Sequence, residues 1–508
     1  MTCNKRSLIA QAEASAATPC WPNKNLGWDG PTIRNKKQIP YAFHVGALIL
    51  ALSFVPLVEV RAQAVPRELL PAYLLGRRLF HETRFTNPGA SYAVSCASCH
   101  SPKLRGPGRP AFADVTPRSL IPELSLREKS TTRRNAPTLL DVAMMERLGH
   151  NGRFTSLEEL VASKLLSRQF GWSKSRAAHA QEQIISVVVG DAGVDEGSGG
   201  VYAAQFQQAY GASLNLLPPQ SVVDLIGRAI VDYLRTLRTT NTAPWDAFVS
   251  MNRIPPHPNP EEPPEHYAGR VLGRIGNQEG RLQVKLVDGF NVVAYRGFQT
   301  FFRTSGNESV GNCVSCHVPL MFTNFKFHNT GVSQVAYEQV HGPGRFNELR
   351  IPNGTNANRP SADFLLAPSL DDPRRADLGY WNYVDLGNAT AHQEGESSAA
   401  VLDRMVGAFK TPTLRNLSQS APYMHNGAYS AIGKTVAAIV HISQLARAGR
   451  LRNIDAEYLE VNLTESDIQP LTAFLMSLNE VPPEDFRELL LSAQAHTGEV
   501  DEPRGPNR

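Results

Sequence analysis

Cys96-Ala97-Ser98-Cys99-His100 and Cys313-Val314-Ser315-Cys316-His317 are the two strings that decide the reading of this chain. Two thiols held two residues apart add across the vinyl groups of one porphyrin. A histidine directly after the second thiol then sits under the iron. This Cys-x-x-Cys-His spacing is that of covalent haem c attachment. A bare Cys-x-x-Cys would also serve a redox dithiol or half of a four-cysteine zinc site, but neither explains a histidine after each second cysteine. Two such strings imply two covalently bound haem c groups. Cys96, Cys99, Cys313 and Cys316 would carry the thioethers, and His100 and His317 would be the proximal iron ligands.

Outward from these strings, the cysteine usage agrees. Of six cysteines, Cys3 and Cys20 lie near the start and the other four are in the motifs, so no thiol is left for a disulfide after a leader is removed. The leader itself is legible. Arg34, Lys36 and Lys37 precede an apolar run of 14 residues from Val45 to Val58, and Ala62-Gln63-Ala64 follows as an A-x-A cleavage site. A membrane-spanning helix needs about 20 apolar residues, so a secretion signal is preferred over a retained anchor. Because c-type haem is attached outside the cytoplasm, a bacterial periplasm is the expected compartment. With 508 residues the chain can form two or three domains, and a net charge of +4 without any Lys/Arg block gives no ground for nucleic-acid binding.

The chain repeats itself. Pro137-Thr138-Leu139 leads to His150-Asn151-Gly152, and Pro412-Thr413-Leu414 leads to His425-Asn426-Gly427, with the same gap of 13 residues from proline to histidine. Each block follows its own Cys-x-x-Cys-His, so two related haem domains in tandem are expected. Pro255, Pro256, Pro258, Pro260, Pro263 and Pro264 mark a stiff connector between them. The expected divisions are a leader at 1–64, a haem domain at 65–252, a linker at 253–266, a second haem domain at 267–485 and a tail at 486–508.

Helices dominate the legible pattern. Ser221 with Asp224 reads as a capping-box start, followed by one apolar face through Val222, Leu225, Ile226, Ala229, Ile230, Tyr233, Leu234 and Leu237. Thr464 with Asp467 repeats the cap, and Ile468, Leu471, Phe474, Leu475 and Leu478 repeat the face. Each is expected to close its domain over the haem-bearing helix. From Gly342 to about Ala408 there is little periodicity, which reads as long surface loops. The fold class is therefore mainly α, with two tandem cytochrome c-like haem domains and long loops.

With these residues in place, the chain resembles the bacterial dihaem cytochrome c peroxidases and their MauG-type relatives from about Leu75 to Leu478. The strings that carry the likeness are Ala111-Phe112-Ala113-Asp114, Arg134-Asn135-Ala136-Pro137-Thr138, Ser156-Leu157-Glu158-Glu159, Phe327-His328-Asn329-Thr330-Gly331-Val332, Phe409-Lys410-Thr411-Pro412-Thr413-Leu414-Arg415-Asn416 and Ala421-Pro422-Tyr423-Met424-His425-Asn426-Gly427. The resemblance implies a reaction haem on His100 and an electron-transfer haem on His317. It implies reduction of hydrogen peroxide with single electrons from a small donor protein, a cytochrome c or a cupredoxin. It also implies one calcium between the domains, held by the Asn135 side chain and the carbonyls of Ser420 and Pro422. Arg134 and Arg415 would face haem propionates, by charge. A homodimer is left open.

Departures from the family pattern open a second reading. The distal glutamate slot falls on Phe170 and a distal glutamine slot on Leu160, neither of which can carry a proton; Gln169 and Arg168 are the polar neighbours. An apolar distal wall suits dioxygen or an apolar substrate, as in the dihaem rubber oxygenases. The slot of an inter-haem tryptophan holds His150. The slot of the second haem's sixth ligand holds Ile439, which leaves His441 as the leading candidate and Met424 and Met405 behind it. Bis-histidine ligation would lower that haem's potential relative to His/Met. No histidine lies between His100 and Arg134, so the first haem is expected to stay open to a small molecule. The expected function is thus a secreted dihaem peroxidase. A dihaem oxygenase or protein-modifying oxidase, or a non-catalytic electron carrier, are its rivals.

Overall fold

The computed structural model describes residues 66–104, 110–122, 130–190, 201–280, 283–352, 358–387, 395–482, 484, 485 and 488. The expected leader and, apart from residue 488, the expected tail lie outside the described residues. Within them, the α-helices in chain order are α1 (Leu70–Phe80), α2 (Cys96–Cys99), α3 (Leu157–Leu165), α4 (Ala177–Val189), α5 (Val201–Tyr210), α6 (Pro219–Leu234) and α7 (Pro244–Met251). There follow α8 (Pro264–Glu279), α9 (Val292–Phe302), α10 (Val332–His341), α11 (Arg345–Glu348), α12 (Ser398–Arg404), α13 (Ile432–Arg447) and α14 (Ile468–Met476). Two short antiparallel ladders complete the inventory: β1 (Leu120–Ile121) with β2 (Ser130–Thr131), and β3 (Phe327–Asn329) with β4 (Ala408–Lys410). The mainly α expectation holds.

Two helix crossings anchor the fold, α1 on α6 and α9 on α14. Each depends on one glycine at the contact. A Cβ on Gly76 would lie 1.9 Å from the Ala229 carbonyl oxygen, and one on Gly297 would lie 1.9 Å from that of Pro470. Only a residue without a Cβ lets the backbones meet this closely. The closing helices therefore pack on the helix upstream of each motif, because the motif itself forms little more than one turn.

The internal repeat is built as the same structure twice. At a constant offset of 275 residues, Asp141 (φ 57°) and Asn416 (φ 58°) are both left-handed, as are Gly152 and Gly427, both at φ 65°. Leu148 N–H donates to the Phe154 carbonyl, and Tyr423 N–H to that of Tyr429, each at 2.8 Å. Helices α3 and α13 start at matching positions, and Leu157, Val161 and Leu165 are buried like Ile432, Val436 and Val440.

Buried side chains fall into three clusters. The first runs from Leu75 to Leu237 and the second from Trp245 to Leu478. Around Trp245 the second is densely aromatic: Phe290, Phe298, Phe302, Phe322 and Phe474 all lie within 6.0 Å, centroid to centroid. Helix α7 precedes the proline-rich stretch yet packs in the second cluster, so the change of core falls before residue 253. The stretch is also shorter as a connector than its prolines suggest. Pro264 is the first residue of α8, where a missing N–H costs nothing.

Three local readings change. Helix α6 begins at Pro219 with no side-chain cap, so Ser221 lies inside the first turn and Asp224 accepts from the Gln220 side chain instead of capping. Proline at the first position set the start. The Thr464–Asp467 box does form, with Thr464 N–H donating to Asp467 at 2.8 Å. The described residues between Gly342 and Ala408 do not all lie at the surface. With Tyr337 some of them make the third cluster, in which Phe364, Leu378, Trp381, Val401, Met405 and Val406 are buried. These apolar residues come from turns and short helices, which leave no period to read.

Candidate functional site

Each Cys-x-x-Cys-His string folds as a single tight turn. His100 N–H donates to the Cys96 carbonyl at 2.9 Å, and His317 N–H to that of Cys313 at 2.8 Å. All four cysteines are half-buried, and none pairs with another in a disulfide.

The two imidazoles are set in the same way. His100 Nδ1 lies 3.2 Å from the Phe112 carbonyl oxygen and 3.1 Å from that of Pro137. His317 Nδ1 lies 2.9 Å from the Phe322 carbonyl oxygen, and the Pro412 carbonyl also bonds it. Carbonyls only accept, so Nδ1 carries the hydrogen and Nε2 keeps its lone pair for a metal. Phe112 (φ 52°) and Phe322 (φ 54°) are both left-handed, an unfavourable backbone for a bulky residue. The strain falls where the carbonyl is turned to the histidine. Burial lowers the pKa of His100, and that of His317 to about 4. Both rings are therefore neutral at pH 7, as iron ligation requires. The thiol pair, the tight turn and the aimed neutral imidazole fit a covalently held haem at each string.

Between the strings, the two copies of the repeat meet. Asn135 N–H donates to the His425 carbonyl at 2.8 Å, and Lys410 N–H to the His150 carbonyl at 2.9 Å. Positions 135 and 410 are themselves repeat equivalents, so the exchange is reciprocal. His425 stacks on Phe409 at 3.6 Å and 7°. His150 Nε2 lies 3.1 Å from the Asn135 carbonyl oxygen. Burial drives His150 down to about 3 and His425 to about 4. The Lys410 ammonium is also buried, which lowers it to about 8; it donates to Met145 Sδ at 2.9 Å and to the Arg147 carbonyl at 3.0 Å.

Arg134 and Arg415, expected to face propionates, each hold a protein carboxylate in the structure. Arg134 makes a bidentate pair with Asp377 at 2.6 and 2.6 Å. Arg415, whose side chain is fully buried, pairs with Asp246 at 2.6 and 2.9 Å and donates to the Leu320 carbonyl. His441 is exposed on α13, while Ile439 packs against the second cluster. Two places along a helix put His441 on a different face from Ile439. Met405 belongs to the third cluster, and Met424 (φ 70°) stands in the turn before His425, opposite Gly149 in the first copy.

Phe170 is buried in the first cluster, with Leu160 packed against it. Gln169 accepts from the Ser167 hydroxyl at 2.5 Å, and Arg168 is exposed and donates to Ser130 at 3.0 Å. Asn135 is buried, and its side-chain amide donates to the Thr116 carbonyl at 3.1 Å. Among the described residues no group of three or more His, Cys, Asp or Glu could hold a metal ion. Sequence reasoning missed Phe112, Phe322, Asp377 and Phe409. The first two act through backbone, which leaves no residue-type signal, and Asp377 lies in the region read as loop. It also missed Lys164, which overlaying the repeats would have flagged.

The chain is similar to several known proteins. Residues 71–253 match the family described as di-haem cytochrome c peroxidase. The chain is 26% identical over 408 residues to methylamine utilization protein MauG of Methylophilus methylotrophus, covering 80% of this chain and 81% of that protein. It is 24% identical over 411 residues to cytochrome-c peroxidase IdrP2 of Denitromonas iodatirespirans, with the same two coverages of 80% and 81%. Among solved structures, the diheme peroxidase BthA from Burkholderia thailandensis E264 matches with TM-score 0.48 at 20% identity, covering 80% of this chain and 86% of that one. Among the described residues no helix is long and apolar enough to cross a membrane.

Proposed function

Starting from a chain related to the dihaem cytochrome c peroxidases and MauG, and hence a dihaem oxidoreductase, we propose that it reduces hydrogen peroxide at the first haem, with electrons relayed through the second. The observation that carries this reading is the reciprocal joint: Asn135 bonds His425 and Lys410 bonds His150. It ties the segments that follow the two haem strings directly to each other, which an inter-haem relay needs and two independent carriers do not.

When bound, the haems supply the redox chemistry, and the protein supplies placement and electrostatics. Cys96, Cys99, Cys313 and Cys316 tether. His100 and His317 each present Nε2, held by the Phe112, Pro137, Phe322 and Pro412 carbonyls. Phe170 and Leu160 keep water from the first site. His150, Phe409 and His425 fill the space between the copies. Overall, one peroxide, two electrons and two protons give two waters. The electrons arrive singly from a small donor protein such as a cytochrome c or cupredoxin. Asn135, with the Ser420 and Pro422 carbonyls, offers neutral oxygens of the kind calcium accepts. We assign the protein to the periplasm after signal removal, and the tandem haem domains to 65–252 and 267–485, with α7 of the first range packing into the core of the second.

The test is steady-state peroxide consumption with a reduced donor protein. Turnover well above a haem-free control supports the reading, and none overturns it. A second reading, dioxygen chemistry on an organic or protein substrate, is favoured by the burial of Phe170 at the glutamate slot. It predicts oxygen uptake in the absence of peroxide turnover.

A further inference from the structure

One charged side chain near the first haem string has no role so far. Lys164 lies on α3, half-buried, one turn beyond Leu160. Its ammonium acts electrostatically on both Cys99 and His100, and it stands 6.0 Å from the Phe154 ring, which Arg153 also covers at 4.7 Å. Among the described residues no carboxylate pairs with it, and its charged neighbours are Arg153, Arg134 and Arg133. Of these, Arg134 is neutralised by Asp377. A partly desolvated cation among cations is a setting that favours a negative group beside it.

The repeat says which way this position faces. At the 275-residue offset, Lys164 falls on Ile439. The flanking residues Val161 and Leu165 match Val436 and Val440, all four buried, so the two helices are seated alike. Ile439 packs against the second cluster, as does Cys313. Equivalent positions on two equally seated helices therefore carry an ammonium in the first half and a branched apolar side chain in the second.

We propose that Lys164 is the charged group at the open side of the first haem, stabilising an anionic or polarised oxygen ligand there. The inference rests on the proposed open first haem. Burial, then Arg153, lowers the lysine to about 8, so it is mostly charged at pH 7. A fixed, half-buried cation acts in a lowered dielectric, where it is most effective. It supplies charge where the family's carboxylate is replaced by Phe170, without serving as the same kind of base.

The test uses holoprotein with both haems verified by haemochrome, and fluoride and carbon monoxide as probes. Fluoride is an anion for the ferric iron, and carbon monoxide is a neutral ligand for the ferrous iron. Lys164→Met should weaken fluoride binding about tenfold or more and leave carbon monoxide binding unchanged, and Lys164→Arg should restore fluoride binding. Unchanged fluoride affinity, or equal losses for both probes, would overturn the proposal. So would a low-spin resting first haem that turns high-spin in Lys164→Met, which would make the lysine an iron ligand. If the wild type binds neither probe, the open-haem reading itself fails, and the proposal with it.

Discussion

In the first half, Leu140 is buried in an apolar cluster; at the same place in the second half stands Arg415, equally buried, paired with Asp246. Nearby, Asp141 accepts from Thr239 N–H, and its counterpart Asn416 accepts from Glu480 N–H. On the following helix, Lys164 faces Ile439. The backbone frame is the same throughout: the left-handed turn, the paired carbonyls on the histidine, the glycine at the helix crossing. The backbone geometry around the two haem strings is duplicated, whereas the side-chain charge has been redistributed between the halves.

The largest expected effect separates the two haems. Cys96→Ala with Cys99→Ala should leave one haem attached and abolish turnover. Cys313→Ala with Cys316→Ala should also leave one haem, but one that still binds carbon monoxide. Mass spectrometry and ferrous spectra check both. If the first pair of changes kept the carbon monoxide site, the roles of the halves would be reversed.

Next comes the Leu140/Arg415 difference. Asp246→Ala alone strands a fully buried guanidinium and should cost about 3–5 kcal/mol. Adding Arg415→Leu, the residue of the first half, should recover most of that, apart from about 1 kcal/mol for the α7 cap that Asp246 also makes. Denaturant unfolding of the single and double variants measures it. No recovery would mean that the second half cannot accept the first half's packing.

Gly76→Ala and Gly297→Ala should each destabilise by about 3 kcal/mol, since the added methyl meets a carbonyl oxygen and the helices must part. Equal losses in thermal melts sharpen the claim of equivalence, and unequal ones break it.

Acid stability offers a further test. His150 and His425 titrate near 3 and 4 in the fold, below the ordinary value of about 6.5. Below pH 6.5 the unfolded chain takes up protons that the folded chain refuses. Stability is therefore full above that pH and falls as pH drops toward 4 and then 3. Replacing both by glutamine should flatten that limb of the pH–stability curve.

Much of this was legible in the sequence because it is written in residue identity. The Cys-x-x-Cys-His strings, the Pro-Thr-Leu and His-Asn-Gly repeat and the Thr464 cap each need particular side chains at fixed spacing. What was illegible is carried by backbone or by distance. Phe112 and Phe322 matter through carbonyls that other residue types also possess. Arg134 meets Asp377 across 243 residues, inside a region with no period. Counting along the chain to His441 likewise leaves out which face of the helix each position takes, since two places on turn the side chain to a different side.

The reciprocal joint has a consequence for how the molecule can be cut. Two short amide contacts, one given by each copy, fix the registry of the segments next to the irons, and the proline-rich stretch does not take part. A protease nick or extra residues around 258–261 should therefore leave electron traffic between the haems untouched, whereas either copy expressed by itself would carry a donor with nothing to meet.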